Sequence, residues 1–123
     1  MEYFLTEEQV MIRDLARKIA EEKIAPKAQE LDEKGEFPWE IIKVLAQSDL
    51  FRVFLPEEYG GLGGGVLDLC LVTEELSKAC SGVAVSYAAS ALGAFPILYM
   101  EQMNRRRSIF QILPVAKNWR LLA

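Results

Sequence analysis

The stretch Phe54-Leu55-Pro56-Glu57-Glu58-Tyr59-Gly60-Gly61-Leu62-Gly63-Gly64-Gly65 divides the chain into two helical halves. Five of its last six residues are glycine, which loses more backbone entropy on ordering than any other residue. We therefore predict a tight connection between helices at this point, and neither a helix nor a central strand. The patterns G-x-G-x-x-G and G-x-x-x-x-G-K-[ST] are both absent, so a phosphate-binding loop is the less favoured interpretation.

The composition limits the chain to one domain and argues against several classes of function. Its 123 residues lie within the usual size of a domain, and 51% of them are hydrophobic, enough for a core. A formal net charge of −4 argues against a nucleic-acid-binding surface. The chain has no histidine, the commonest general base and metal ligand, so we predict no metal site. The polar, acidic N-terminus predicts no signal peptide and a cytoplasmic location.

Helical segments are predicted before the glycines. Thr6 begins a capping box, and an apolar row with three- and four-residue spacing follows it. Pro26 should kink or restart this helix, and Gly35 should end it. Pro38 is expected at the first position of a further helix, after which residues 50–55 should run as a short extended segment into the glycines.

After the glycines, the sequence predicts a helix over Val66–Lys78. Its apolar row is expected to include Cys70, and we interpret both Cys70 and Cys80 as buried thiols. Glu74 and Glu75 are expected to face water. Two adjacent carboxylates could also serve in acid–base chemistry, but the sequence shows no partner and no burying environment for them, so this is the less favoured interpretation.

The last clear helix, Val83–Leu98, is apolar on all sides. Such a helix is typical of a protein core or of a membrane, and at about 1.5 Å per residue this one is short for a membrane span. Its many alanines leave little side-chain volume. The helix therefore either packs very close to a neighbour or leaves room for an apolar ligand. The residues alone favour close packing and leave the pocket open as an alternative.

Four segments, in this order and at this spacing, resemble the N-terminal helical domain of the acyl-CoA dehydrogenases. They are Leu5-Thr6-Glu7-Glu8-Gln9, Leu55-Pro56-Glu57-Glu58-Tyr59-Gly60-Gly61, Glu74-Glu75-Leu76-Ser77-Lys78 and Leu92-Gly93-Ala94-Phe95-Pro96-Ile97. The resemblance covers residues 1–98 without a gap. It implies an all-α fold, a bundle of about four to five helices with a glycine-rich connection.

The resemblance also implies a function. Acyl-CoA dehydrogenases are FAD-dependent flavoproteins, usually homotetramers, that desaturate acyl-CoA thioesters between the α and β carbons and pass electrons to electron-transfer flavoprotein. The family's counterpart of Val83–Leu98 forms part of the wall of the acyl pocket. By position, Val85, Ala88, Ala89 and Leu92 would face the acyl chain. The family's catalytic base and most of its flavin contacts match no residue here, so no catalytic residue is assigned and cofactor-binding residues stay unknown.

Because the chain has roughly a third of the family's length, it is expected to be a truncated dehydrogenase that alone is inactive and binds no FAD. A stand-alone helical interaction module is the alternative. Such a module should not expose a large apolar patch, whereas a domain cut from its neighbours should. A basic-tail binder of nucleic acid or membrane, built on Arg105-Arg106-Arg107, is less favoured still, and we predict neither partner.

Residues 99–123 form an atypical tail that is both basic and apolar. The net charge is −8 over residues 1–98 and +4 over residues 99–123. Met103–Ile109 can be written in codons whose neighbouring frame reads Asp-Glu-Gln-Lys-Lys-Lys-Tyr, which resembles the family sequence expected there. We therefore hypothesise that the tail is a frame-shifted continuation that packs poorly on the domain.

Overall fold

The computed structural model describes residues 4–100, and over that range the chain forms helices and no strand, as predicted. The helices are α1, α2, α3, α4 and α5, with the bounds Glu7–Ile19, Ala28–Lys34, Trp39–Gln47, Val66–Ala79 and Ser81–Met100. Residues 101–123, on which the frame-shift hypothesis rests, lie outside the described residues. The predicted domain boundary after residue 98 stays a prediction.

The start of α1 is a capping box, as predicted. The Thr6 hydroxyl accepts a hydrogen bond from the Gln9 amide at 3.2 Å, and the Gln9 side chain accepts one from the Thr6 amide at 3.0 Å. Glu7 and Glu8 in the first turn complement the positive end of the helix dipole. These contacts fix where the first helix begins.

The predicted kink at Pro26 takes the form of a π-helical turn over Ala20–Ile24 followed by a 3-10 turn over Ala25–Lys27. Proline has no N–H, so the carbonyl four residues before it lacks its α-helical donor, and the backbone locally rewinds. The helical path then continues as α2 until Gly35, which has a φ of 62°. The predicted stop at Gly35 is confirmed.

The predicted extended segment over residues 50–55 is wrong. A left-handed residue, Asp49 with a φ of 61°, ends α3, and a 3-10 turn over Leu50–Arg52 follows it. Val53, Phe54 and Leu55 are all buried. The backbone turns here, because the Val53 amide donates to the Leu50 carbonyl and the Leu55 amide to the Arg52 carbonyl, and these turns lie inside the core.

The glycine-rich loop folds back onto the residues that precede it. A Cβ atom at Gly61 would overlap the Leu55 carbonyl oxygen, and one at Gly64 would overlap the Val53 carbonyl oxygen. Gly60 and Gly63 have φ values of 81° and 77°, which favour glycine. The predicted tight connection between helical pairs is therefore confirmed, and close backbone approach explains why glycine is needed.

The core lies where α4 packs against α1 and α5, and where α3 packs against α5. On α4, Val72 and Leu76 are buried, whereas Cys70 is exposed and Cys80, just after the helix, is half-buried. The prediction of two buried thiols is therefore wrong. The row of α4 that contains Val72 and Leu76 lies beside the row that contains Cys70. It is the Val72–Leu76 row that packs against α1 and α5.

Helix α5 is longer than predicted, because it starts at Ser81 and reaches Met100. By length and composition Ser81–Tyr99 could cross a membrane, with a mean hydropathy of 1.5. The argument that it is too short therefore fails, since 20 residues extend about 30 Å. One side of α5 is buried against α3 and α4, but only 28% of this membrane-length stretch is buried, so α5 is not the centrally buried core helix that its all-round apolar sequence predicts. The absence of a membrane partner stays a prediction.

Candidate functional site

The four residues predicted to face an acyl chain lie on one side of α5. Val85, Ala88, Ala89 and Leu92 are spaced by three, four and seven positions, which places them on one helical face. Val85 is 67% exposed and Leu92 is 77% exposed, while Ala89 is exposed and Ala88 is partly exposed. We call these four residues the outer face of α5. Its two bulky side chains flank two small ones.

The opposite side of α5 is fully packed. We call it the inner face, and it consists of the buried residues Val83, Ala84, Tyr87, Ser90, Ala91 and Ala94. The alanines there let α5 approach its neighbours closely. The two interpretations of this thin helix therefore apply to different sides: close packing holds for the inner face, whereas the outer face is open in the described part of the chain.

Tyr87 links α5 to the turn that follows α3. Its side chain is fully buried, and its hydroxyl donates a hydrogen bond to the Leu50 carbonyl at 2.7 Å. The ring lies 5.2 Å from the Phe51 ring and 6.0 Å from the Phe54 ring, between centroids. Burial raises the pKa of the Tyr87 phenol well above its ordinary value. Sequence analysis assigned Tyr87 no role, although a buried tyrosine usually finds a hydrogen-bond partner for its hydroxyl.

Glu75 does not face water, so that prediction is wrong. Its side chain is 4% exposed and accepts two hydrogen bonds from Arg17, from Nε to Oε2 and from Nη2 to Oε1, each at 3.1 Å. Lys78 Nζ donates a third hydrogen bond to Oε1 at 2.9 Å. Hydrogen bonding from Arg17, the largest effect, lowers the pKa of Glu75 in spite of the opposing effect of burial.

These contacts fill both oxygens of Glu75 with donors and hold it ionised between α1 and α4. Glu74 is exposed, with Lys78 Nζ at 3.9 Å from its carboxylate. Glu75 lines a concavity of about 260 Å³ together with Arg17 and Lys78, but both of its oxygens are bonded to these two residues, so it is not a free base there. Sequence reasoning could have found the burial of Glu75, because Asp68, Val72, Glu75 and Leu76 form one row of α4 at helical spacing.

The glycine-rich loop has little capacity to bind a phosphate. The amides of residues 60–63 all donate to backbone carbonyls within residues 52–57, at 2.8–3.0 Å. The Gly65 amide donates to the Asp68 carboxylate at 2.8 Å, an N-terminal cap on α4 that sequence reasoning missed. Among residues 4–100, no cluster of Cys, Asp or Glu is arranged to hold a metal ion.

A concavity of about 460 Å³ lies near the N-terminal end of α5. Leu31, Glu36, Phe37 and Val83 are among the residues that line it, and none of the four outer-face residues does. The outer face is therefore an open surface of this chain, not part of that cavity. A closed site at the outer face would need a second wall.

Comparison with known protein families gives a match to "Acyl-CoA dehydrogenase, N-terminal domain" over residues 6–108. The chain is similar to the probable acyl-CoA dehydrogenase YngJ of Bacillus subtilis, with 38% identity over 88% of this chain and 29% of that protein. It is 46% identical to the 3-(aryl)acrylate reductase of Clostridium sporogenes over 71% of this chain and 23% of that protein.

Solved structures agree with these sequence matches. Butyryl-CoA dehydrogenase from Megasphaera elsdenii superimposes with a TM-score of 0.83 and 33% identity, over 94% of this chain and 31% of that one. A chain solved in work on the electron transferring flavoprotein of Acidaminococcus fermentans superimposes with a TM-score of 0.85 and 32% identity, over 94% of this chain and 30% of that one. The chain thus spans about a third of the length of these relatives or less.

Proposed function

Since the chain belongs to the acyl-CoA dehydrogenase family and matches its N-terminal domain, we propose that it works as the N-terminal part of an enzyme that desaturates acyl-CoA thioesters. In this proposal the outer face of α5, formed by Val85, Ala88, Ala89 and Leu92, is one wall of the acyl-chain pocket. The rest of the pocket is supplied by parts of the enzyme outside the described residues.

The exposure of the outer face is the observation that carries this proposal. Residues 79–100 contain no charged side chain, yet Val85 and Leu92 are mostly exposed. A large uncharged surface of this kind usually marks a site of ligand or protein contact. The same exposure favours a domain that needs neighbours over a stand-alone interaction module. The small side chains of Ala88 and Ala89 leave a shallow depression between two bulky ones, which suits an apolar chain.

The described residues do not fit FAD. A flavin dinucleotide needs donors for its pyrophosphate, and in the glycine-rich loop the amides of residues 60–63 already donate to carbonyls of residues 52–57 and the Gly65 amide donates to Asp68. We therefore propose that FAD is bound by other parts of the enzyme. With no free base and no cradle for the cofactor, the described residues contribute substrate binding and pocket shape, and this chain alone is inactive.

The partners follow from the same proposal. Acyl-CoA is the substrate class, and electron-transfer flavoprotein is the electron acceptor of the assembled enzyme, which we propose to be a homotetramer. The names of the similar proteins support an acyl-CoA substrate, and the structural similarity to a chain from the Acidaminococcus fermentans work supports a link with electron-transferring flavoprotein.

A chimera tests the pocket wall. Residues 1–100 of this chain replace the matching segment of butyryl-CoA dehydrogenase from Megasphaera elsdenii, and Ala88→Leu is introduced into the chimera. We expect Ala88→Leu to reduce kcat/KM for octanoyl-CoA by roughly tenfold or more while sparing butyryl-CoA, because the added volume fills the depression. Ala25→Leu, at an exposed alanine away from α5, is the matched control. Equal loss with both substrates, accompanied by a lower melting temperature, would contradict the proposal.

A further inference from the structure

We propose that Tyr87 is a positioning residue that fixes the rotation of α5, and that it thereby determines which acyl groups the outer face admits without touching them. This inference rests on the proposed function, because it concerns the same pocket wall. It concerns a buried residue of the inner face, however, and it makes a structural claim that can be tested in the absence of substrate.

The packing of α5 alone leaves its rotation weakly defined. Both faces of the helix are apolar, so hydrophobic burial distinguishes them poorly. The inner face also presents three small buried residues, Ala84, Ala91 and Ala94, so close approach to the neighbouring helices selects small side chains there and not a particular shape. Rotation of an α-helix by about 100° exchanges neighbouring positions, such as Ala91 and Leu92. A directional interaction defines the rotation more sharply than side-chain size alone.

Tyr87 supplies that interaction. Within residues 4–100, its hydrogen bond to the Leu50 carbonyl is the only side-chain hydrogen bond that joins α5 to another element. Its ring also contacts the rings of Phe51 and Phe54, so a rotation of the helix would disturb two aromatic contacts together with the hydrogen bond. Tyr87 lies between Val85 and Ala88 in the sequence. Its hydrogen bond therefore holds α5 at the same height along the helix axis as the outer-face residues.

The substitution Tyr87→Phe removes the hydrogen bond to the Leu50 carbonyl and keeps the packing of the aromatic ring. The phenylalanine ring keeps the aromatic contacts, but the Leu50 carbonyl loses its short hydrogen bond from Tyr87 and keeps only the longer one from the Val53 amide, at 3.4 Å. Loss of the stronger of two donors to a buried carbonyl is unfavourable, and a shift of α5 or the entry of water relieves it. We expect α5 in this variant to sample other rotations, so that inner-face positions become accessible.

The first arm of the test uses the full 123-residue chain in a Cys70→Ser, Cys80→Ser background. Single reporters, Ala91→Cys on the inner face and Leu92→Cys on the outer face, are labelled with a maleimide. Tyr87→Phe should speed the labelling of Ala91→Cys by roughly tenfold or more while Leu92→Cys changes little. Ile24→Val, a core change in the π-helical turn after α1, is the control for general loss of stability. Urea unfolding of every variant allows comparison at matched stability.

The second arm measures acyl selectivity in the chimera described above. Tyr87→Phe should change the ratio of kcat/KM for octanoyl-CoA and butyryl-CoA by roughly threefold or more, well below the melting temperature. Ile24→Val should leave the ratio unchanged. A residue that only stabilises the fold would lower the melting temperature and leave the ratio unaltered.

The outcomes separate this inference from the proposed function. Faster labelling of Ala91→Cys together with a changed ratio supports it. An unchanged ratio, or labelling no faster than in a variant of equal stability, overturns it. If Ala88→Leu alters the ratio and Tyr87→Phe does not, the pocket wall stands and the positioning role falls. If neither substitution alters the ratio, both the pocket-wall proposal and the positioning role of Tyr87 are refuted.

Discussion

Arg17 and Glu75 form a two-bond ion pair that joins α1 to α4. Arg17→Met keeps the aliphatic stem but removes the donors, and Glu75 is then left buried with Lys78 as its remaining partner. We expect the free energy of unfolding to fall at neutral pH by more than the loss of an exposed ion pair would cause, because hydrogen bonds to a buried charge are lost. Urea denaturation measures this loss.

Lys43→Met is the matched control, because it breaks an exposed ion pair with Glu40. It should cost about 0.5 kcal/mol or less, since exposed pairs contribute little. A similar loss for both variants would show that burial of Glu75 has no energetic weight.

The Arg17–Glu75 contact also predicts a pH dependence. The folded-state pKa of Glu75 lies below its ordinary 4.5, so its contribution to stability is present above that pH and is lost as the pH falls through the folded-state pKa. Arg17→Met raises the pKa of Glu75 and should therefore differ most from the unmodified chain above pH 4.5. The difference should shrink on acidification. A difference that grows toward low pH would contradict this assignment.

Gly61 tests the connection between the two helical halves. Gly61→Ala places a Cβ atom on the Leu55 carbonyl oxygen, so the loop must move away from the residues before it. We expect a loss of about 2 kcal/mol or more, measured by thermal or urea unfolding. At Gly65 an added Cβ meets open space, and Gly65→Ala should cost less than about 1 kcal/mol. Neither glycine has a positive φ, so the comparison isolates the close approach. Equal losses would show that backbone entropy, and not contact, selects glycine at Gly61.

The sequence predicted helices well where the signal was local. The Thr6 capping box and the Gly35 stop depend on neighbouring residues, and both are confirmed. The extended segment over residues 50–55 and the exposure of Glu75 were predicted wrongly, because tertiary contacts decide both. Burial of consecutive apolar residues in a turn leaves no local pattern. The helical row of α4 places Glu75 with Val72 and Leu76, but its partner Arg17, on a helix far along the chain, cannot be read from local sequence.

In the candidate site, too, the features set by local sequence were predictable and those set by tertiary contacts were not. The face shared by Val85, Ala88, Ala89 and Leu92 follows from helical spacing, whereas its openness depends on how α5 packs. The hydrogen bond of Tyr87 to Leu50 was not foreseen, since it joins residues 37 positions apart. Family resemblance predicts which helix to examine and the role proposed for it, but the direction in which α5 faces had to come from tertiary structure.

The whole chain is expected to lack flavin after purification under native conditions. The amides of residues 60–63 and of Gly65 already donate to protein oxygens, which leaves the glycine-rich loop few donors for the pyrophosphate. Visible absorbance of the purified protein, before and after incubation with FAD followed by gel filtration, checks this. The chimera, which regains the rest of the enzyme, should be yellow and serves as the positive control. A stoichiometric yellow species from the chain alone would refute the assignment of FAD binding to other parts of the enzyme.

The deep burial of Tyr87 sets an alkaline limit and supplies an optical signal for it. Its phenol stays neutral in the folded chain above its ordinary pKa of 10.0, whereas unfolding lets it ionise. The contribution of the neutral Tyr87 phenol to the free energy of unfolding is fully present below pH 10.0 and declines as the pH rises above that value. In an alkaline titration, the ultraviolet absorbance of this tyrosinate should appear together with the loss of helical circular dichroism. Tyr87→Phe should abolish that coincident step.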